Sequence, residues 1–577
     1  MNKHGVLGNG FADDCAAIMG GTKLGNVVKR VQRVVTELVD WGKTCGLEFN
    51  KSKIIAVVFT CRKKPLPEKL KIDGQSIEYS NSAKYLGVTL DSQLHWKEHV
   101  QQKTLKAKNL AHLLLTATRS NYGPRPEIIK WVITGVIRPM LAYAAMVWAH
   151  EISLSKVRQQ LLKIDRVTML AIASVKPSTP TEGLRIIYNI MPLELFLQKV
   201  AVDSYVRLNE VLVDNWRGTG KNKTYSVSHL HRWQERLDAI GMSGVELDRT
   251  RKVNWERDFL VESTSIGRNT EPQMVRHAIH TDGSATENGV GAGYMAYYCA
   301  TRLGSHSERL RSGTTVFQAE LLAITRAAEY VKSNWGLYSD KHVVIRSDSA
   351  AALQSIQSHK IHSKTVECAV EALKQAAGVA ATITLSWVKA HVGYEGNEEA
   401  YRLAKIGAES QNLEETLLPT PLCHIKTKTA QSFETEWVNR WRNYKHARKT
   451  KLFFDAPAPR KTNALIKLTR GKLSMMVTLL TGHNNLAYHT SLCDESLTDG
   501  CTYCNTSAET FHHLLTECPA FIHSRADIFG AYELDRGRMT WRVDQVVEFA
   551  GQRRIEDLLF NYMDDSRDDQ PGGESDE

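Results

Sequence analysis

The sequence predicts an α/β multidomain protein whose middle part is a mixed five-stranded sheet flanked by helices. Between residues 274 and 411, apolar segments with the two-residue period of strands alternate with segments that repeat at helical spacing. The length of 577 residues also exceeds what one hydrophobic core usually serves. The predicted strands are 276–282, 292–300, 303–311, 342–348 and 382–388, and the predicted helices are 316–333, 349–357, 363–377 and 397–408.

The composition indicates a globular protein with excess positive charge. Hydrophobic residues make up 42% of the chain and charged residues 24%, which are ordinary values for folded domains. The net charge of +11 favours a polyanionic partner such as nucleic acid, although a generally basic surface would give the same value. Residues 1–10 are polar and glycine-rich, unlike a secretory signal. We therefore expect a nuclear or cytoplasmic protein rather than a secreted one.

One apolar stretch, residues 131–148, has the length of a short membrane span. Arg138 and Pro139 stand at its centre. A charge is costly in the middle of a bilayer, and proline interrupts a helix. The sequence therefore predicts a buried helix here and no association with a membrane.

The N-terminal part, residues 1–110, is predicted to contain both strands and a helix. Residues 5–21 predict a hairpin, because apolar residues and glycines flank Asp13 and Asp14. A helix should follow, since apolar residues from Val27 to Trp41 recur at helical spacing. Two strands are predicted after it, at 54–59 and 84–90.

Three acidic residues in the middle part stand where the hydrophobic pattern changes. Asp282 and Asp348 are each predicted to close a strand, the two lying side by side, and Glu320 falls in the first turn of a predicted helix. His391 follows on a loop flanked by glycine. Converging carboxylates are what metal-dependent phosphodiester chemistry needs, because divalent cations close together require shared oxygen ligands. A loop histidine has a pKa suited to proton transfer.

The ordered motifs of this region resemble the type 1 ribonuclease H family over about residues 274–411. They are Thr281-Asp282-Gly283-Ser284, Glu320 in a helix, Ser347-Asp348-Ser349 and His391 through Glu398. The resemblance implies cleavage of the RNA strand of an RNA–DNA hybrid, with Mg²⁺ or alternatively Mn²⁺ as the cofactor. It assigns Asp282, Glu320 and Asp348 as metal ligands and His391 as a proton carrier.

Tyr401 departs from this family pattern, which has a fourth metal-binding aspartate at that position. A neutral phenol is a poor ligand for Mg²⁺ beside carboxylates. Glu398 lies three residues earlier and could substitute only in part. The departure leaves two interpretations open. The domain is either a weakened hydrolase or a catalytically inactive remnant that binds nucleic acid.

The N-terminal part resembles the palm of reverse transcriptases. Phe11-Ala12-Asp13-Asp14 resembles their catalytic turn, Asn50 to Lys53 the next palm motif, and Lys84 to Val88 the segment beyond it in non-LTR (LINE-like) retrotransposon polymerases. A polymerase also needs a third aspartate and a region that holds the nucleotide. Only ten residues precede Phe11. We therefore expect a truncated palm, inactive unless a second chain completes it.

A cysteine cluster near the C-terminus predicts a structural zinc site. Cys501, Cys504, His513 and Cys518 have the spacing and chemistry of a closed tetrahedral site. His512 is the alternative histidine, but its spacing and helical phase favour it less. The cluster resembles the Cys-Cys-His-Cys element of non-LTR retrotransposon proteins, so its role would be structural or in nucleic-acid contact.

The order of these parts resembles the C-terminal part of a non-LTR retrotransposon polyprotein. Tyr562 to Asp565 also spells a polymerase-like turn, which we interpret as coincidence because no strand pattern follows it. The predicted domains are a palm and thumb remnant at 1–110, a mainly helical connection at 111–265, ribonuclease H at 274–411 after a linker at 266–273, a basic helical region at 412–480, the zinc element at 481–530 and an acidic disordered tail at 561–577.

Overall fold

The computed structural model of the chain forms two units. One contains residues 1–205, 224–232 and 433–577, and the other contains residues 206–223 and 233–432. The structure describes residues 5–60, 68–118, 123–216, 228–253, 258–262, 275–339, 341–492, 494, 496–534 and 542–552. The predicted linker at 266–273 and the predicted tail at 561–577, with Tyr562 to Asp565, lie outside these ranges.

The strands and helices are numbered along the chain. The strands are β1 (Leu7–Phe11), β2 (Asp14–Ile18), β3 (Leu70–Ile72), β4 (Gln75–Ile77), β5 (Ser82–Tyr85), β6 (Val88–Asp91), β7 (Lys252–Val253), β8 (Leu260–Val261), β9 (His277–Thr286), β10 (Gly289–Tyr298), β11 (Thr301–Leu310), β12 (His342–Ser347), β13 (Lys360–Ile361), β14 (Thr382–Trp387) and β15 (Glu415–Thr416).

The helices begin with α1 (Leu24–Thr44), α2 (Lys97–Thr118), α3 (Pro126–Val132), α4 (Arg138–Ala142), α5 (Ala145–Trp148), α6 (Ser155–Ala173), α7 (Thr181–Tyr188), α8 (Leu193–Trp216) and α9 (Ser228–Asp238). They continue with α10 (Val316–Ser333), α11 (Trp335–Tyr338), α12 (Ala350–Gln357), α13 (Lys364–Ala377), α14 (Glu395–Glu409), α15 (Leu422–Asn443), α16 (Arg448–Lys451), α17 (Pro459–Ile466), α18 (Arg470–Thr481), α19 (Ala487–Ser491), α20 (Phe511–Thr516), α21 (Ile522–Phe529) and α22 (Val543–Ala550).

The central sheet of the second unit is mixed, and in the described residues it has seven strands rather than the five predicted. Their order is β15, β11, β10, β9, β12, β14 and β8. Strands β9, β10 and β11 are antiparallel neighbours, whereas β12 and β14 run parallel to β9. The two additional strands, β8 and β15, are edge strands of two residues each, too short to produce a periodic pattern in the sequence.

The core of this unit lies between the sheet and its helices. Ile279, Ile345 and Leu385 come from three adjacent strands, and all three are fully buried. Leu321 from α10 and Leu373 from α13 are buried in the same cluster. These apolar positions produced the strand and helix periodicity, so the five long strands and the four main helices match the predicted ranges within four residues.

Two glycines of β10 allow helix α14 to lie close to the sheet. A Cβ on Gly293 would lie 2.5 Å from the backbone nitrogen of Ala404. A Cβ on Gly291 would lie 2.2 Å from the carbonyl oxygen of the same alanine. No side chain fits at these distances, so glycine sets the depth at which α14 packs.

In the first unit, the N-terminal residues form hairpins. Strands β1 and β2 form the predicted hairpin. The predicted strand at 54–59 is wrong, because only Ala56 makes a bridge there, to Tyr79. The predicted strand at 84–90 is also wrong: β5 and β6 form a hairpin that turns at Leu86 and Gly87. Both turn residues have positive φ, a backbone conformation that an apolar pattern does not reveal.

The stretch at 131–148 is broken rather than one buried helix. A π-helical turn at 133–137 separates α3 from α4, and Trp131 is 65% exposed. Arg138 is buried, and its guanidinium lies 4.6 Å from the ring centre of Phe196. Among the described residues, no single helix is long and apolar enough to cross a membrane. The helical stretches at 126–142 and 145–153 meet those criteria only together, across a bend of 56°.

A buried ion network joins distant segments of the first unit. Arg185 pairs with Asp165 at 2.6 Å and also with Glu182. Arg440 then donates to Glu182 at 2.8 Å and pairs with Glu194. Residues near 165–194 and the last turn of α15 are thereby held together. A buried charge that lost its partner would be strongly destabilising, so these residues depend on one another.

Candidate active site and candidate zinc site

Three carboxylates from separate elements converge at one place on the central sheet. Asp282 lies in β9, Asp348 directly follows β12, and Glu320 lies on α10. One oxygen from each lies within 4.8 Å of the others. Strands β9 and β12 are parallel neighbours, and pairing of Thr281 with Ser347 places the next residues of both strands side by side.

The prediction that Asp282 closes the first strand is wrong. Strand β9 continues to Thr286, because it forms a long hairpin with β10. Its pairing with β12, in contrast, ends at Thr281. Asp282 is therefore held on one side by β10 and is open on the other side toward Asp348.

Helix α10 carries Glu320 to this place, and a capping box fixes the residue at which the helix begins. Thr315 accepts a hydrogen bond from the backbone N–H of Gln318, whose side chain accepts one from the backbone N–H of Thr315. Glu320 is the fifth residue of the helix and so lies in its second turn, not in the first turn as predicted. The close approach to β9 requires glycine at residue 283, where a Cβ would lie 2.5 Å from the backbone nitrogen of Glu320.

Two of the three carboxylates, Asp282 and Glu320, are buried, and burial makes their ionisation unfavourable. Burial raises the pKa of Asp282 to about 7, and the nearby Asp348 and Glu398 add to that shift. Burial also raises the pKa of Glu320 well above its ordinary value, and Asp282 and Asp348 contribute to it. Such a cluster of like charges favours the binding of cations.

The arrangement fits divalent cations. Asp282 Oδ2 and Glu320 Oε2 are buried and have no hydrogen-bond partner among the described residues. A buried polar atom without a partner is costly, and an ion would satisfy both oxygens. Carboxylate oxygens are also the ligands that Mg²⁺ and Mn²⁺ prefer.

Helix α14 faces the cluster with Asn397 rather than with Tyr401. The Asn397 amide donates to Asp348 Oδ2 at 3.2 Å. Tyr401, one turn later, packs against the ring of His391 at 5.2 Å between ring centres, edge to face. His391 is exposed on the loop before α14 and has a φ of 53°. The structure therefore brings together the three acids but places Tyr401 with His391.

Two residues near Asp348 were missed by the sequence analysis as site residues. One is Asn397, and the other is Trp387, whose indole N–H donates to the backbone carbonyl of Asp348 at 2.9 Å. Asn397 lies within the motif His391 through Glu398, but amides are not among the acidic residues that the motif order marks as metal ligands. Nothing in the sequence around Trp387 distinguishes it from an ordinary strand residue.

The four residues of the predicted zinc site also come together. One ligand atom from each of Cys501, Cys504, His513 and Cys518 lies within 4.8 Å of the others. Cys501 Sγ and Cys518 Sγ are 3.9 Å apart, and Cys504 Sγ and His513 Nε2 are 3.2 Å apart. Zn–S bonds of about 2.3 Å at tetrahedral angles put sulfurs about 3.8 Å apart. His512 is not in this group.

Hydrogen bonds shape the loop that holds these ligands. Glu509 is buried, and its carboxylate accepts from the backbone N–H groups of Thr502 at 2.9 Å and Ala487 at 3.0 Å. Thr510 caps α20 by accepting from the N–H of His513. Burial opposes ionisation of Cys504, but hydrogen bonds from Thr506 and His513 outweigh it and lower the pKa of that thiol to about 6. A thiolate is the form that binds zinc.

The candidate polymerase residues are not part of a metal group. Asp13 and Asp14 are exposed at the turn of the first hairpin, where Ala12 has a φ of 52°. Lys53 ends a 3₁₀ turn that Asn50 caps. Among the described residues, only the two groups above could hold a metal through three or more ligands.

Comparison with known proteins identifies the central part of the chain. Residues 275–409 match the family described as RNase H. This part of the chain is a ribonuclease H domain. It contains the three converging carboxylates and five of the seven strands of the mixed sheet, and this sheet is consistent with a ribonuclease H-like fold.

The ribonuclease H domain belongs to a chain that is similar to retrotransposon polyproteins. It is 24% identical over 261 residues to a Retrovirus-related Pol polyprotein from type-1 retrotransposable element R1 2 of Nasonia vitripennis, covering 42% of this chain and 62% of that one. A counterpart from R1 of Bradysia coprophila is 20% identical over 186 residues, 32% of this chain and 18% of that one. The Probable RNA-directed DNA polymerase from transposon BS of Drosophila melanogaster is 26% identical over 141 residues, which cover 24% of this chain and 15% of that one. The chain thus spans less than two thirds of these curated relatives.

The raised pKa of Asp282 predicts a pH dependence for the metal-free ribonuclease H domain. The carboxyl binds its proton more tightly in the folded state, where its pKa is about 7, than at its ordinary value of 3.8. Its contribution to stability is therefore greatest below about pH 4 and is lost as pH rises through about 7. Burial near Arg346 lowers the pKa of His280 to about 3, so the contribution of His280 to stability is lost as pH falls rather than as pH rises. Comparison with Asp282→Asn isolates the aspartate.

The measurement is urea unfolding of both proteins in chelator between pH 5 and pH 8. We expect Asp282→Asn to gain stability over the native sequence as pH rises, and Mg²⁺ to remove that difference at pH 8. A pH-independent difference between the two proteins would contradict the assignment.

Proposed function

We propose that the ribonuclease H domain cleaves the RNA strand of RNA–DNA hybrids with Mg²⁺, or with Mn²⁺ in its place. The observation that carries this proposal is the convergence of Asp282, Glu320 and Asp348, two of which hold buried oxygens without partners among the described residues. The match to the ribonuclease H family and the retrotransposon relatives support a nucleic-acid substrate.

The roles of the residues follow from their positions. Asp282, Glu320 and Asp348 would hold divalent cations, which supply Lewis-acid chemistry for attack of water on a phosphodiester. Asn397 and Trp387 hold Asp348 through its side chain and its backbone. His391, exposed on its loop, would carry a proton away from the site or aid product release. Hybrid recognition would use the 2′-hydroxyl groups of the RNA strand and the backbone of the DNA strand.

A basic segment supports nucleic acid as the partner. Residues 440–472 contain eleven lysines and arginines, and Asp455 is the single acidic residue among them. Arg442, Lys445 and Arg448 are exposed. Exposed cations attract phosphates without reading sequence, so we expect affinity to fall steeply with salt. The zinc element that follows would be structural or contact nucleic acid.

Two other functions remain candidates. Tyr401 favours an inactive remnant that still binds nucleic acid, because it supplies no carboxylate. A polymerase that works only with a second chain is favoured by the hairpin of Asp13 and Asp14, which is exposed as a catalytic turn would be. Primer extension that depends on added partner chain would support the latter.

The decisive experiment is cleavage of a labelled RNA–DNA hybrid in Mg²⁺ and in Mn²⁺. We expect the native sequence to cut the RNA strand of the hybrid and to leave duplex DNA intact. Asp348→Asn should abolish cleavage, because it removes one of three metal-binding charges while keeping the size of the side chain. Hybrid binding without cleavage in either metal would identify the inactive remnant, and equal cleavage by Asp348→Asn would reject this site.

Restoring the fourth acid is expected to increase activity. Tyr401→Asp adds a carboxylate on the face of α14 that Asn397 occupies one turn earlier. Cleavage in Mg²⁺ should increase about tenfold or more, in keeping with the effect of an added ligand or ligand partner on a metal site. Tyr401→Asn, which removes the ring without adding charge, is the matched control. Equal rates for both variants would show that charge at position 401 is irrelevant.

A further inference from the structure

Asn397 is the residue through which helix α14 reaches the acidic cluster. The residue is 2% exposed, and its Nδ2 donates to Asp348 Oδ2 at 3.2 Å. Its Oδ1 is buried and has no hydrogen-bond partner among the described residues. A buried acceptor that is left unsatisfied destabilises the fold. The amide oxygen therefore lacks a partner on a side chain that contacts the acidic cluster.

Two neighbours on α14 are less suited to supply an oxygen. Tyr401 lies one turn later, and its ring packs edge to face on His391. Glu398 is not among the described acids whose oxygens lie within 4.8 Å of one another. Asn397, in contrast, contacts a member of that group directly.

The chemistry of an amide suits this position. Asparagine carbonyl oxygens are ordinary ligands of hard divalent cations. The amide carries its acceptor and its donors on one planar group. It can therefore give an oxygen to an ion and an N–H to a carboxylate oxygen. A neutral ligand also adds no charge to a buried cluster that already holds three carboxylates.

We propose that Asn397, through Oδ1, supplies the fourth protein oxygen that binds the divalent cation in this ribonuclease H domain. The aspartate of the family pattern is absent at position 401, and Asn397 takes its part from one turn earlier on the same helix. The proposal rests on the proposed function, since it requires a cation at Asp282, Glu320 and Asp348.

The test uses the full chain with zinc bound at its cysteine site. Mn²⁺ is the probe for the acidic cluster. Mn²⁺ affinity is measured by electron paramagnetic resonance titration, and coordinated waters are counted by pulsed spectra in D₂O. Asn397→Ala should bind Mn²⁺ about tenfold more weakly and gain one coordinated water. Glu398→Gln and Tyr401→Phe, at the rival positions, should keep the native water count. Asp348→Asn gives the background from other sites.

A second variant distinguishes loss of the ligand from misfolding of the domain. Asn397→Asp keeps the size of the side chain and retains an oxygen, so it should bind Mn²⁺ at least as tightly as the native chain, with the native water count. Native affinity and water count in Asn397→Ala would overturn the proposal. So would weaker binding with an unchanged water count, because Asn397 would then only orient Asp348.

The same data separate this proposal from the proposed function. Mn²⁺ binding that Asp348→Asn does not reduce would overturn both, because the acidic cluster would then hold no ion. Binding that Asp348→Asn reduces and Asn397→Ala leaves unchanged would overturn the role of Asn397 alone. Binding as expected without hybrid cleavage would overturn the activity and support Asn397 as a ligand.

Discussion

Replacing Cys518 with serine is expected to remove one zinc ion per chain and to unfold the segment that contains the zinc site. The ligand atoms of Cys501, Cys504, His513 and Cys518 lie close enough to bind one tetrahedral ion. Binding of structural zinc contributes about 10–16 kcal/mol in small zinc domains at neutral pH. Without it, Cys501, His513 and Cys518 would remain buried without a common partner. Hydrogen bonds such as those that Glu509 accepts would then be left to hold the loop from 501 to 510.

The measurements are zinc content by mass spectrometry and limited proteolysis of residues 482–530. Cys45→Ser is the matched control, because Cys45 is an exposed free cysteine in the same unit. We expect the control to retain zinc and to resist protease, and Cys518→Ser to lose both properties. A strong chelator should reproduce the effect on the native sequence. Unchanged zinc content in Cys518→Ser would show that the cluster does not bind this metal.

Replacing Gly283 with alanine is expected to reduce cleavage by the ribonuclease H domain about 100-fold. The new methyl group would lie 2.5 Å from the backbone nitrogen of Glu320 and 2.9 Å from the Cβ of Ala319. Both are atoms of packed helix α10, so the helix must move away from β9. That movement increases the distance between Glu320 and Asp282. A displacement of about 1 Å at a catalytic site can reduce the rate about 100-fold.

Gly336→Ala is the control for this prediction, because no atom lies within 4 Å of the position where its Cβ would stand. The control should cleave hybrid at the native rate. Gly283→Ala should also lose about 1–3 kcal/mol of unfolding free energy through overpacking. Thermal unfolding and Mn²⁺ affinity measured together separate loss of the site from loss of the fold. Native activity in Gly283→Ala would mean that the spacing of α10 and β9 does not position Glu320.

The sequence predicted the ribonuclease H domain well for a physical reason. Its strands bury one residue in two or every residue, and its helices bury one face, so periodicity alone gives the long elements. The acids Asp282, Glu320 and Asp348 stand at changes in that periodicity and carry a recognisable order. The N-terminal part was harder, because the hairpin around Leu86 and Gly87 is defined by positive φ, and its strands have only four residues each.

Residue type and order alone predicted the candidate site residues: three carboxylates, a loop histidine, a tyrosine in place of an acid, and four candidate zinc ligands. These are matters of residue type and order, which the sequence contains directly. Which atoms come into contact depends on the tertiary structure. Asn397 contacts Asp348 and Tyr401 contacts His391 because Gly291 and Gly293 let α14 approach β10 closely. Such contacts depend on the packing of elements distant in the chain, and no local pattern encodes them.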